Sequence, residues 1–595
     1  MNSSGVVTVQ LGCAANYTGT HFWNLLFSNV TAPTHSRGRS EISQGLEDEL
    51  RRVRSQLFWE PDEGPLAGQL VPRLILIECN DSVLASEHYV KPVISTIDPE
   101  DRIISPEVWS RRAERILWPG SERVHPFQQD RVAGRVQMAD AYQFEKSILD
   151  WRDFQTFPLS NRSRTAIDAL RREHPMAAEP LRKHDGHDNP NTTEMQQLRS
   201  WPRDLEGFRE GLDLIHGGSV SEQLLDPIRY FAETCDVLRG IDLYASFELS
   251  ENAGITAGLV EHLVDTFGAN KSILVAGIDS NEGLVEKRIK GAWLDQSVDC
   301  TEAMLVSALN TSSSAGENDH VAYLPTRFHN LRNNQRERLW ATDVPAVSFQ
   351  DLYSCRFGWT AVIATALCAN RLHVDALADM ALGSAVREGS TFLRHRSVFE
   401  LRACLWPDAW HVPGVQEGSL AQNFSRGRNL STAGWYQTFV EQDMQMLVKQ
   451  RLDGGLNRLS EDCQDSVPRT LQRYLRFLNN AQKCDSVEQR FLCGSSVETS
   501  LLLPHPFPLE IRKYALHDRQ PKDLFGNAVP CLVCETTLNQ SLETGADIQA
   551  WAASLWYRSY SPNRNPRDES WTQHEIEAAA EGLYLLADSY VPPDW

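Results

Sequence analysis

The sequence lacks a long uninterrupted apolar segment. The longest runs, Leu74–Ile77 and Ala361–Ala369, are far shorter than the roughly 20 residues with which a helix crosses a bilayer. They predict a buried strand and a packed helix. Residues 1–19 contain neither a basic segment followed by an apolar run nor an arginine-rich stretch. We therefore expect no secretory signal and no matrix-import peptide.

Positive charge is also scarce. The chain of 595 residues has 58 lysines and arginines against 79 aspartates and glutamates, a formal net charge of −21 at pH 7. Such a protein repels phosphate backbones at long range, and no basic patch is segregated along the sequence. Nucleic-acid binding is therefore not expected. A hydrophobic fraction of 41% in a chain of this length predicts two or three structural units.

The sequence has no metal or disulfide framework. Its 12 cysteines are scattered, and Cys531-Leu-Val-Cys534 has zinc or redox spacing without a second pair nearby. Two reduced thiols on an apolar strand are the favoured interpretation. His184-Asp-Gly-His187 lies in a polar segment without a third ligand, so a solvated loop is favoured there. Serine-hydrolase, zincin and Walker motifs are absent from the sequence.

The first part of the chain alternates between strand and helix patterns, which predicts a parallel sheet covered by helices. Polar loops are expected at residues 31–45 and within 301–320, and a Pro- and His-rich insertion at about 173–200. Strands are predicted at Val6–Leu11, Gln69–Glu78, Gly240–Phe247 and Lys271–Ile278, and helices at Asn16–Asn29, Val220–Leu238 and Ile255–Phe267.

After about residue 345 the patterns favour helices. They are predicted at Ala361–Ala369, Val374–Ala385, Trp435–Leu452, Ser466–Ala481 and Thr572–Ser589. We divide the chain into an amino-terminal segment 1–125, a continuation of the sheet 126–345 and a second layer with carboxy-terminal helices 346–595. The aromatic residues of the last part predict either a partner surface or a helical core face: Trp551, Trp556, Tyr557, Tyr560 and Trp571.

Three stretches resemble tubulins, in the order in which tubulins have them. VQLGCAANYTGTHFW matches Q-x-G-x-x-x-N-x-x-G-x-x-F-W of the first phosphate-facing loop, through Gln10, Gly12 and Asn16 among others. VPRLILIE, from Val71, resembles the strand VPRAVLVDLEP. IRYFAETCDVLRGIDLYASFELSENAGITAGLVEHL, from Ile228, is similar to the stretch that leads through a strand into the glycine-rich loop.

The chain resembles the Misato family more than the tubulins themselves. Phe144–Phe154 (FEKSILDWRDF) is similar to the V-x-x-W-S-D-F segment of Misato proteins, and the region around it is longer than in tubulins. The resemblance implies a tubulin-like α/β fold with a Rossmann-type parallel sheet, an insertion, a second α/β layer and carboxy-terminal helices.

The phosphate loop of the tubulins, GGGTGSG, is replaced here. Glycines let the backbone approach a phosphate, and helix amides attract it. This chain has E-L-S-E-N-A-G, in which only Gly254 remains and Glu248 and Glu251 bring negative charge. A carboxylate about 4 Å from a phosphate charge costs about 4 kcal/mol at an effective dielectric constant near 20. A gapped match would use Gly254 and Gly258 instead. Even then, bulky Ile255 occupies a position that should be glycine.

The acidic loop that tubulin-type hydrolysis takes from a neighbouring subunit, N-x-D-x-x-E, also has no counterpart, because Asn-x-Asp does not occur in the sequence. We therefore expect no catalytic residues, no metal and no cofactor, with GTP binding as the alternative. A residual nucleotide loop would consist of Gln10, Gly12, Asn16 and Gly254. For the first three, a strand-to-helix turn required by the fold is favoured.

The resemblance implies a non-enzymatic role in mitochondrial distribution, morphology or fusion, and inheritance, from the cytoplasm or the outer mitochondrial surface. Partners would be proteins such as tubulin, a chaperonin or outer-membrane proteins, with peripheral membrane association possible and no nucleic acid. Two alternatives are a cofactor of tubulin folding or spindle assembly that works with a chaperonin, and a divergent GTPase.

Overall fold

The structure is a computed structural model. It describes residues 4–31, 50–79, 125–137, 139–142, 144, 148, 151–167, 205–247, 250–268, 271–280, 296–313, 321–328, 342–343, 358–373, 398–405, 435–440, 491–504, 506–508, 531–560 and 571–590.

The centre of the fold is a six-stranded parallel sheet of order β5-β4-β1-β6-β7-β8. Its strands are rich in Val, Ile and Leu because helices cover both faces, so that side chains on either side are buried. Leu11 at the end of β1 is level with Ile77 of β4 and Ala245 of β6. The strands are β1 (Ser4–Leu11), β4 (Leu74–Cys79), β5 (Arg164–Ile167), β6 (Val237–Ser246), β7 (Ser272–Ser280) and β8 (Val321–Phe328).

The helices divide between the two faces of this sheet. Val7 and Val9 of β1 point into one hydrophobic cluster, with α4, α5, α6 and α7, whereas Val6 points into the other, with α1 and α8. The helices are α1 (Cys13–Thr31), α2 (50–57), α3 (Pro126–Val132), α4 (Leu205–His216), α5 (Ser219–Glu233), α6 (Ser250–Phe267), α7 (Gln296–Ser313) and α8 (Gly358–His373).

A second sheet has the order β11-β12-β13-β10-β9 and is mostly antiparallel. Helix α8 contacts α1 and β8 as well as β12 and β13, so it lies between the two sheets. The strands are β9 (Thr342–Asp343), β10 (Glu400–Leu405), β11 (Trp435–Val440), β12 (Phe491–Leu502) and β13 (Cys531–Ser541); a small hairpin joins β2 (Phe58–Trp59) to β3 (Val71–Pro72).

The last two helices, α9 (Leu542–Ser559) and α10 (Gln573–Asp588), form a hairpin over α7. Trp571, just before α10, donates from Nε1 to the carbonyl of Leu205 at 2.7 Å, and the guanidinium of Arg209 lies 4.1 Å from the Trp571 ring centre. Tyr590 exchanges hydrogen bonds with the backbone of Val398. These contacts join the end of the chain to the first sheet.

Two predicted elements have different ends. The helix predicted at Val220–Leu238 ends at Glu233, because Val237 pairs with Ser4 and belongs to β6. The helix predicted to begin at Ile255 begins at Ser250, so the sequence Ser250–Gly254 is helical and not a loop.

Within 301–320, residues up to 313 belong to helix α7, in which Cys300, Ala303 and Leu309 are buried. The rest of this range, where the predicted loop would lie, is outside the described residues.

One other prediction is wrong in type. The first residues of the helix predicted at Trp435–Leu452 form β11, which pairs with β12. Its run of aromatic and β-branched residues is typical of a strand.

The strands predicted at Val6–Leu11, Gly240–Phe247 and Lys271–Ile278 and the helices predicted at Asn16–Asn29, Ala361–Ala369 and Thr572–Ser589 correspond to observed elements. The strand predicted at Gln69–Glu78 is divided at Arg73 into β3, in the hairpin, and β4, in the first sheet. The described part of the chain does not include residues 32–45, the insertion at 173–200, Val374–Ala385, Ser466–Ala481, His184 or His187. The boundaries at 125 and 345 stay predictions. Among the described helices, none is both long and apolar enough to cross a membrane.

Candidate functional site

The sequence places the candidate site at the carboxyl ends of strands β1 and β6. Helix α1 begins at Cys13, two residues after β1 ends, and α6 begins at Ser250, four residues after β6 ends. Both helix amino termini therefore lie at one edge of the sheet, where their amides give positive potential. Gly12 makes the turn between β1 and α1 with φ +90°, and its carbonyl accepts from the amide of Asn16 at 3.0 Å.

A side chain of α6 occupies the space next to Gly12. A Cβ at Gly12 would lie 2.7 Å from Nδ2 of Asn252 and 2.9 Å from Cβ of Ser246. Asn252 is 4% exposed, and its Nδ2 donates to the carbonyl of Ser246 at 3.0 Å. The amide of Asn252 therefore connects the first turn of α6 to the end of β6 and packs directly against the turn at Gly12.

Gln10 packs against α1. It is fully buried, and a Cβ at Gly19 of α1 would lie 1.9 Å from its Nε2. Glycine at position 19 thus makes room for the Gln10 amide, which has no hydrogen-bond partner among the described residues. Asn16 is buried on the same helix. The close contact between Gln10 and Gly19 gives both of these residues a packing role, which is to hold strand β1 against helix α1.

Gly254 packs against another helix. A Cβ there would lie 1.9 Å from the carbonyl oxygen of Phe208 in α4, and one at Gly211 would lie 2.1 Å from the carbonyl oxygen of Glu251. The two glycines let the backbones of α4 and α6 touch. This helix contact by itself requires a glycine at position 254, whether or not a ligand binds. The sequence alone could not show the contact. The assignment of Gly254 to a nucleotide loop stays a prediction.

The electrostatics of this edge rest in part on Glu251. It lies in the first turn of α6 and is half-buried. A carboxylate there interacts favourably with the helix amides, which weakens the positive potential offered to an external anion. Glu248 lies outside the described residues.

Phe154, the last residue of the segment that resembles Misato proteins, packs against the middle of α1. The ring of Phe154 lies 4.6 Å from that of His21, and Nδ2 of Asn24 donates to the carbonyl of Phe154 at 2.7 Å. Oδ1 of Asn24 accepts from Thr156. Burial lowers the pKa of His21 to about 3, so it is neutral. The described apolar residues of this segment, Phe144, Ile148, Trp151 and Phe154, thus belong to the core that includes α1.

Metal chemistry receives no support from the part of the chain that the structure describes, which has no group of three or more His, Cys, Asp or Glu side chains placed to hold an ion. Cys531 and Cys534 lie on β13 as predicted.

Sequence reasoning missed Asn252. It stands in the E-L-S-E-N-A-G stretch, but only the pairing of β1 with β6 brings it to Gly12. Its position near the start of a helix, close after a strand, was a weak signal for this contact.

A parallel sheet with helices on both faces, and two helix amino termini meeting at a glycine turn, define a doubly wound α/β protein. Residues 4–93 match the family described as Misato Segment II tubulin-like domain. The chain is also similar to Protein misato of Drosophila melanogaster, with 22% identity over 278 residues. Both matches agree with the resemblance of this chain to Misato proteins. The similarity covers 44% of this chain and 42% of the Drosophila protein.

Proposed function

We propose that this chain is a non-enzymatic tubulin-like protein that acts through protein partners in mitochondrial distribution, morphology or fusion, and inheritance. It would work in the cytoplasm or at the outer mitochondrial surface. The observation that carries the non-enzymatic part is the Asn252 side chain against Gly12, where a ligand would need open backbone amides.

The contacts of the candidate edge favour a structural role for each of its residues. Asn252 bonds to Ser246, Gln10 fills the space over Gly19, and Gly254 serves a helix contact. A phosphate group would have to displace the Asn252 amide and would meet the Glu251 carboxylate near the same helix terminus. The fold then serves as a scaffold whose surfaces bind other proteins.

A titration with labelled GTP and Mg²⁺ tests the absence of a nucleotide site. We expect no saturable binding by the wild-type protein, and none by Asn161→Ala, a control for loss of an asparagine in the exposed turn before β5. Asn252→Gly, which empties the space at Gly12, tests whether that side chain alone excludes the nucleotide. Saturable micromolar binding by the wild-type protein would refute the proposal and favour a divergent GTPase.

Depletion followed by imaging of the mitochondrial network tests the cellular role. We expect a fragmented or unevenly distributed network that is rescued equally by the wild-type chain and by Glu251→Gln, because no phosphate chemistry is involved. Co-purified proteins distinguish the alternative role: enrichment of outer-membrane proteins supports the proposal. Enrichment of chaperonin and tubulin subunits, with spindle defects that precede the mitochondrial ones, would overturn it in favour of tubulin folding.

A further inference from the structure

The hairpin of α9 and α10 has one buried and one exposed side. Trp551 and Leu555 of α9 and Leu583 of α10 are buried in the cluster under the first sheet. Large hydrophobic side chains that are exposed among the described residues concentrate on the other side of this hairpin: Trp556 (37%), Tyr557 (61%), Tyr560 (57%) and Leu585 (73%). Only Val132 and Val237 are comparably exposed elsewhere in the described ranges.

The exposed aromatic residues of α9 meet an acidic stripe on α10. The rings of Trp556 and Tyr560 lie 5.5 Å apart, and the neighbouring Glu577 carboxylate, which accepts from Nε2 of Gln573 at 2.7 Å, raises the pKa of the Tyr560 hydroxyl. Residues 577, 581, 585 and 588 follow one another at intervals of three or four, so they share one face of the helix. Three of them are acidic, and the fourth is Leu585. The half-buried Glu577 and six exposed residues form what we call the hairpin surface; the six are Trp556, Tyr557, Tyr560, Glu581, Leu585 and Asp588.

This combination of side chains identifies the chemistry of a partner. Aromatic rings with adjacent carboxylates attract lysine and arginine through charge and cation–π interactions. Tyr, Trp and an apolar anchor are also the residues that dominate protein interfaces. An anionic membrane would be repelled by Glu581 and Asp588 and by the net charge of −21. A second copy in a two-fold contact would place the same acidic stripe against itself.

We propose that the hairpin surface binds a basic amphipathic segment of a partner protein, with its lysines or arginines on the acidic stripe and its apolar side chains against Tyr557 and Leu585. The proposal rests on the proposed function in one respect, since both assign the activity of the chain to protein contacts. The tests are separable, because nucleotide binding and mitochondrial rescue do not involve this probe.

The experiment measures fluorescence anisotropy of a labelled helical peptide of Lys, Arg and Leu with the full chain at physiological salt. An otherwise identical peptide with Glu for every Lys and Arg is the probe control. Glu577→Gln/Glu581→Gln tests the acidic stripe. Glu222→Gln/Asp226→Gln removes the same charge from exposed positions of α5 and is the matched control.

Saturable binding of the basic peptide is expected, weakened about tenfold or more by Glu577→Gln/Glu581→Gln and also by Tyr557→Ser/Leu585→Ser, with little effect of the control. Unchanged circular dichroism and unfolding midpoints show that the variants fold. Equal weakening by the control pair would mean non-specific attraction and would overturn the proposal. So would absence of saturable binding, preferential binding to phosphatidylserine vesicles, or self-association that Leu585→Ser abolishes.

Discussion

Asp242 on β6 and Arg371 on α8 form a buried ion pair whose removal gives a sharp prediction. Nη2 of Arg371 lies 3.6 Å from Oδ2 of Asp242, and the two side chains are 1% and 2% exposed. Within the described residues the guanidinium nitrogens form no hydrogen bond. The pair therefore depends on charge attraction, about 5 kcal/mol at an effective dielectric constant near 20.

Arg371→Met removes one charge and leaves the other, the Asp242 carboxylate, buried. We expect the free energy of unfolding, measured by denaturant titration at pH 7, to fall by about 3–5 kcal/mol, because an uncompensated buried charge costs that much. Glu222→Gln breaks the exposed pair of Glu222 and Arg229, at 2.9 Å. It should cost about 0–1 kcal/mol. A loss below 1 kcal/mol for Arg371→Met would refute the reasoning.

The double variant Asp242→Leu/Arg371→Met has a different expected result. Burial raises the pKa of Asp242, and the attraction to Arg371 offsets this only in part. The pair therefore does not recover its full desolvation cost, and apolar replacement of both partners should be neutral or stabilising by about 1–4 kcal/mol. A carboxyl whose pKa is raised by folding loses stability as pH rises from about 4 through the raised pKa. The wild-type protein should show this decline, whereas the double variant should lack it.

Three further predictions concern other contacts. His21, whose pKa burial lowers to about 3, contributes stability that is present above pH 6.5 and lost as pH falls towards 3; His21→Leu should flatten this acid limb of the unfolding free energy, and His574→Leu on the surface should not. Gly254→Ala places a Cβ 1.9 Å from the Phe208 carbonyl oxygen. It should therefore lower the free energy of unfolding by about 1–3 kcal/mol or more. An unchanged unfolding midpoint would contradict the tight contact between α4 and α6. Thr572→Ala removes the capping box of α10. It should lower the free energy of unfolding by about 0.5–2 kcal/mol in the same assay. An unchanged free energy would mean that packing alone stabilises the amino terminus of α10.

The parts of the fold with regular patterns could be predicted from the sequence. Val6–Leu11 and Lys271–Ile278 are mostly apolar, as central parallel strands are; the first lies within an observed strand, and the second matches one that begins at Ser272. The capping box that begins α10 is also visible in the sequence as Thr572 and Glu575.

In the mispredicted elements, tertiary contacts determined the secondary structure. Ser250–Gly254 contains a serine and a glycine and suggests a loop, yet contact with α4 holds it in a helix. Trp435–Val440 forms a strand because β12 lies next to it, and no local signal shows that neighbour.

The candidate site could be predicted only in part, because tertiary contacts also determine which residues meet there. Gln10, Gly12 and Asn16 lie close together in sequence and stay together at the turn. Asn252 reaches Gly12 from 240 positions along the chain. The distance between these residues is set by the register of β1 on β6, which a single sequence does not reveal.

The contact of Trp571 with Leu205 has a consequence for synthesis of the protein. Helix α4 is completed more than 350 residues before the tryptophan that covers it, since the two positions are 366 apart. During translation, the side of α4 that Trp571 covers therefore remains exposed until residue 571 has emerged. A nascent chain in that condition is prone to aggregation and is a natural substrate for a protective chaperone.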